Sequence, residues 1–132
     1  MTEFVYLHGF ASGPSSKKAT AFKNKFKEIG VSLNTPDLEG GNFENMTLTS
    51  QVNIVLDLLD QFQCKKVCLI GSSMGGYLAT LVAQRRVEIK ATYLMAPGFN
   101  FLERWMRSLK LDCDDETCWE PKIQIFHYRY DE

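Results

Sequence analysis

A chain of 132 residues, 45% hydrophobic and 12% aromatic, has room for one domain with a real core. Its 15 basic and 16 acidic residues leave a formal net charge of -1, which excludes a basic stripe for gripping nucleic acid and an acidic tail. No apolar run is long enough for a transmembrane helix and Met1-Thr2-Glu3 carries no basic n-region, so the chain reads as cytosolic, with neither nucleic acid nor membrane as partner.

The run Phe4-Val5-Tyr6-Leu7 is apolar without interruption and ends at His8-Gly9, as a strand buried on both faces does before a loop. Ser15 or Ser16 then caps a helix whose apolar residues Ala19, Phe22, Phe26 and Ile29 recur at helical spacing, with Gly30 as its stop. Lysines 17, 18, 23, 25 and 27 form the wet face of that helix. Val31-Ser32-Leu33-Asn34 is a weaker strand, closed by Thr35-Pro36-Asp37 and a loop rich in Gly, Asn and Glu.

Leu48, Val52, Val55, Leu59 and Phe62 predict a second amphipathic helix, capped by Thr47 or Thr49. Lys66 to Ile70 is a strand, Met74 to Arg86 a third helix with Leu78, Leu81 and Val82 inward, and Ala91 to Ala96 another buried strand. The β-α-β-α-β-α-β order predicts an α/β fold: a mostly parallel sheet with helices on both faces. Beyond Pro97-Gly98, residues Leu102, Trp105, Met106 and Leu109 mark one more helix, Asp112 to Glu116 a solvated acidic loop, and Ile123 to Phe126 a half-exposed strand.

The four cysteines do not form a zinc ribbon. Cys64 and Cys68 have three residues between them and Cys113 and Cys118 four, neither of them the C-x2-C spacing, so no metal is expected and the thiols read as reduced, Cys68 packed in its strand.

Gly71-Ser72-Ser73-Met74-Gly75 matches G-x-S-x-G between a buried strand and a helix, the context that gives this pentapeptide its meaning. A serine on so sharp a strand-to-helix turn needs small residues two positions before and after, which Gly71 and Gly75 supply. Ser73 is then the nucleophile, and the backbone N–H of Met74, at the positive end of the helix, helps hold an oxyanion. Gly76 lets the helix pack close to the neighbouring strand. A P-loop is excluded because Tyr77 follows Gly76 where Lys is needed, and a dinucleotide fingerprint because position 73 is serine. No cofactor is implied.

Together with Tyr6-Leu7-His8-Gly9-Phe10, this elbow resembles the α/β-hydrolase superfamily, most closely its small, uncapped or lightly capped serine esterases of the YqiA type, over roughly residues 3 to 100. The resemblance implies that Phe10 is the second oxyanion donor through its main chain, that His8 shapes the loop rather than acting as base, and that Asp37 caps a loop. It also implies a chain order of Ser, then Asp or Glu, then His.

After Ser73 the only histidine is His127. In one alignment the tail Phe126 to Glu132 stands for a family strand end and makes Asp131 the triad acid. In the other, Trp119 to Glu132 belongs to a lid-like insertion begun near residue 97, and His127 and Asp131 are surface residues. The second is preferred: about 25 residues between Pro97 and Ile123 is short for a complete connection, and Tyr128 stands where a tight-turn glycine is expected. Neither assembles a full triad, so the single domain 1–132 is expected to be an N-terminal part of a hydrolase.

The function that follows is hydrolysis of a small-molecule acyl ester or thioester, weak or absent in these 132 residues alone. The alternative is a non-catalytic α/β binding or interaction domain with a relic elbow. An apolar, unpaired sheet edge would make the isolated chain prone to self-association.

Overall fold

The computed structural model describes residues 1–63, 66–100 and 103. Four strands and three helices lie in the first of two units into which the chain divides, Met1–Gly98; Phe99–Glu132 is the second. In chain order they are β1 (Glu3–Leu7), α1 (Lys17–Glu28), β2 (Leu33–Asn34), α2 (Leu48–Gln61), β3 (Val67–Ser72), α3 (Met74–Ala83) and β4 (Ile89–Met95). The helix, strand and candidate residues placed by sequence between 104 and 132, His127 and Asp131 among them, lie outside the described residues.

Both ends of α1 and the start of α2 have local causes. Ser16 caps α1 by accepting the Ala19 N–H at 3.2 Å. Gly30, at φ +73°, ends it in a Schellman motif: Gly30 N–H donates to the Lys27 carbonyl and Val31 N–H to the Phe26 carbonyl. Thr47 begins α2 with a reciprocal capping box, its Oγ1 accepting from Ser50 N–H while Ser50 Oγ accepts from Thr47 N–H. A single 3₁₀ turn, Phe43–Asn45, precedes it and has no counterpart in the sequence expectations.

The sheet is parallel throughout, ordered β2-β1-β3-β4, with Leu7 opposite Gly71 and Ser72 opposite Met95. Alternation along β1 and β3 sorts side chains to two faces. Val5, Leu7, Val67 and Leu69 pack on α2 and α3 through Val52, Val55, Leu59, Leu78, Ala79 and Val82. On the opposite face Tyr6, Ile70 and Leu33 pack on α1 through Ala19, Phe22 and Phe26. This is the three-layer arrangement that the alternating elements predict.

Two expectations are corrected. β2 shrinks to Leu33–Asn34, because Gly30 and Val31 are spent on closing α1. β4 is not a buried strand: Lys90, Ala91, Thr92 and Tyr93 are exposed, since among the described residues β4 pairs with β3 alone.

From β1 the chain crosses by α1 to β2 on one side, then returns by α2 to β3 on the other. The strand order therefore reverses between β1 and β3. At such a point the loops leaving the carboxyl ends of the two strands diverge to opposite faces and leave a crevice between them. His8-Gly9-Phe10 leaves β1 there, and Ser73 leaves β3.

Candidate active site

Ser73 holds φ 56° and ψ -118°, a backbone conformation that residues with a Cβ rarely adopt. Its backbone is pinned on both sides. Ser73 N–H donates to the Met95 carbonyl at 2.9 Å, and its own carbonyl accepts from Gly76, Tyr77 and Gly98 N–H groups. Ser73 is also the N-cap of α3, yet its hydroxyl makes no capping bond, unlike Ser16 and Thr47, whose oxygens each satisfy a helix N–H. The elbow lifts the side chain off the helix end and leaves it exposed.

Glycine is required around this turn by contact. A Cβ on Gly71 would collide with the Gly75 and Gly76 backbone, and one on Gly75 with the Leu7 and His8 carbonyls. On Gly76 it would come 3.1 Å from Pro97 Cα. Strand β1, the elbow and the Pro97-Gly98 turn thus meet backbone to backbone, and the first turn of α3 aims its N–H groups into the crevice.

Over the elbow lies the loop that follows β1. A Cβ on Gly9 would be 3.4 Å from Ser73 Cβ and 4.0 Å from Ser73 Oγ, so the His8-Gly9-Phe10 segment passes beside the hydroxyl. The Phe10 ring packs against Phe43 of the 3₁₀ turn at 5.4 Å between centroids, tying the loop after β1 to the loop after β2.

His8 is buried and both ring nitrogens are engaged. Nδ1–H donates to the Gly9 carbonyl at 2.9 Å, and Nε2 accepts the Leu38 N–H at 3.0 Å; this pair of partners fixes the tautomer. Asp37 Oδ1 lies 4.0 Å from Nε2 but accepts the Glu39 N–H, as a loop cap does. His8 therefore organises loops and has no nitrogen left to take a proton from Ser73, and it is the only histidine among the described residues.

The sequence placed Lys18 on the wet face of α1, and the structure keeps it exposed there while Nζ donates to Ser72 Oγ at 2.9 Å, across 54 residues. Ser72 is buried and its hydroxyl also meets that of Tyr6. Burial pushes the Tyr6 hydroxyl above the usual tyrosine range, and the Ser72 hydrogen bond acts in the opposite direction. In β3 the Cys68 thiol is free and raised by burial, the opposite of an activated thiolate.

Ser73, Gly9 beside Phe10, and Met74 are thus brought together at one crevice. Gly98 joins them as a position that sequence reasoning read only as a strand stop: its N–H binds the Ser73 carbonyl, and a Cβ on it would lie 3.4 Å from Met74 N. The only cue in the sequence was the Pro97-Gly98 turn.

Comparisons with known proteins bear on the family and the fold. A family model described as UPF0227, an uncharacterised protein family, matches residues 3–132. A Mycoplasma pneumoniae protein named "Putative esterase/lipase 2" is 38% identical over 104 residues, covering 71% of this chain and 37% of its own length. Est1E from Butyrivibrio proteoclasticus, solved with ferulic acid bound, superposes with a TM-score of 0.69 at 25% identity, over 81% of this chain and 47% of that one. Mouse alpha/beta hydrolase domain-containing protein 10 superposes at 0.66 and 24% identity, over 82% and 48%. The fold is that of the α/β hydrolases, and the chain spans about a third of the length of the curated relative and about half of the solved ones.

Proposed function

The chain belongs to the UPF0227 family, and from that premise we propose that it carries the nucleophile and oxyanion site of a serine hydrolase acting on small acyl esters or thioesters. Ser73 Oγ attacks the ester carbonyl carbon while a base takes its proton. The tetrahedral oxyanion is held by the main-chain N–H groups of Phe10 and Met74, collapse expels the alcohol or thiol, and water then releases the acid from the acyl-serine. The observation that carries this reading is the Ser73 backbone at φ 56° with a hydroxyl that does not cap its own helix. Likeness to a protein named as an esterase/lipase and to Est1E supports ester over amide chemistry.

The base is assigned to none of the described residues, because His8 spends both nitrogens on loop backbone. The test is hydrolysis of p-nitrophenyl esters of graded acyl length, paired with fluorophosphonate labelling read by peptide mass. Label on the Ser73 peptide, and loss of turnover in Ser73→Ala, support the reading. Undiminished hydrolysis by Ser73→Ala overturns it.

A further inference from the structure

Lys18 stands in the first turn of α1, where a cation opposes the helix dipole, and Lys17 beside it makes the conflict worse; that turn holds no acidic residue. The pair is kept against local electrostatics at the carboxyl end of the sheet, where the crevice opens. Of the two, Lys18 is held in place: Nζ donates to Ser72 Oγ at 2.9 Å, and Ser72 precedes Ser73 in the chain. With adjacent Cα atoms about 3.8 Å apart, an ammonium bound to Ser72 stays within about 9 Å of the Ser73 Cα.

One hydrogen bond uses one of three ammonium donors. Among the described residues no carboxylate pairs with Lys18, and the residue is exposed. Its rotamer freedom is already reduced by the tie to a buried hydroxyl, so an arriving anion meets a charge that costs little further to order. Ser72 is in turn buried in the carboxyl end of β3. Lys18 therefore presents a positive charge tied to the residue that precedes Ser73.

We propose that Lys18 is a specificity-determining residue that receives a carboxylate carried by the acyl group, so that half-esters of short dicarboxylic acids are preferred over neutral esters of equal length. This rests on Ser73 being the nucleophile.

The experiment compares p-nitrophenyl hemiglutarate with p-nitrophenyl valerate. The native chain favours the hemiglutarate by about tenfold in kcat/KM, the value of one charge-assisted hydrogen bond. Lys18→Gln removes most of that ratio, Lys18→Arg keeps most of it, Lys17→Gln leaves it unchanged, and added salt shrinks it. Equal losses on both esters in Lys18→Gln, or no preference in the native chain, overturn the proposal. A second arm needs no turnover: in Ser73→Ala, monomethyl glutarate shifts the NMR resonances of Lys18 and Ser72 at concentrations where methyl valerate does not. If Ser73→Ala hydrolyses both esters as fast as the native chain but this binding is seen, the nucleophile reading fails and the anion site stands; if the resonances do not move, the anion site falls.

Discussion

The Leu7 carbonyl fills the space that a side chain on Gly75 would need, so β1 and the first turn of α3 touch backbone to backbone. The contact draws the carboxyl ends of β1 and β3 together, and with them the two loops that frame Ser73. Gly75→Ala forces one of these backbones away. The expected cost is at least the 1–3 kcal/mol of an overpacked core, roughly, with loss of any Ser73-dependent hydrolysis. Gly13→Ala is the control, since a Cβ there meets nothing within 4 Å. Urea denaturation of both variants reads the contrast, and similar midpoints would show that the elbow is looser than described.

His8 and Leu38 give a second outcome. His8→Ala leaves the buried Leu38 N–H without its acceptor, while the Gly9 carbonyl keeps the Ser12 N–H. An unpaired buried donor costs about 1–3 kcal/mol. Asp37→Asn retains a side-chain oxygen for the Glu39 N–H and stays within about 0.5 kcal/mol of the native chain. Thermal unfolding of the two variants separates a loop-organising histidine from an ion pair with Asp37: the ion-pair account has Asp37→Asn falling as far as His8→Ala.

The helix ends were legible in the sequence because their causes are local, and the elbow because its glycine spacing is a motif. Ser16 and Thr47 answer to N–H groups three residues on, Gly30 to a positive φ and Gly71 to the backbone of Gly75 and Gly76, whereas Gly75 and Gly76 keep their motif positions for contacts with Leu7 and Pro97. What was missed depends on tertiary distance. Lys18 sits on a polar helical face, and only its partner 54 residues away distinguishes it from Lys23 or Lys25. Ala91 to Ala96 reads as a buried strand although Ala91, Thr92 and Tyr93 are exposed, because burial depends on how many neighbours a strand has as well as on its own residues. The tie from Gly98 to Ser73 likewise joins two turns that no periodicity links.

Tyr6 makes stability sensitive to alkaline pH. Its hydroxyl is raised chiefly by burial, so the folded chain holds the proton more tightly than the unfolded one. From about pH 10 upward the unfolded chain ionises first, and stability falls as pH rises through the folded-state value. Cys68, also raised by burial, contributes with the same sign from about pH 8.5, so the comparison belongs in a Cys68→Ala background. There, Tyr6→Phe is less stable at neutral pH, having lost the partner of Ser72, and shows a shallower decline in urea midpoint between pH 9 and 11, roughly the range in which tyrosine titrates. An unchanged slope would mean that Tyr6 titrates as an exposed phenol.

The strain at Ser73 predicts a variant that gains stability as it loses function. A residue with a Cβ held at φ 56° and ψ -118° costs on the order of 1–3 kcal/mol, whereas glycine adopts positive φ freely and gives back about 0.5–1 kcal/mol in extra unfolded-state entropy. The hydroxyl makes no capping bond, so removing it costs α3 nothing at its N-terminus. Ser73→Gly is therefore expected to unfold about 1 kcal/mol later in urea than the native chain, and Ser73→Ala, which keeps the Cβ and its strain, to stay close to native. Both variants lose the fluorophosphonate label. Ser73→Gly unfolding earlier than Ser73→Ala would mean that the three bonds to the Ser73 carbonyl, and not the residue at the turn, set the energy of the elbow.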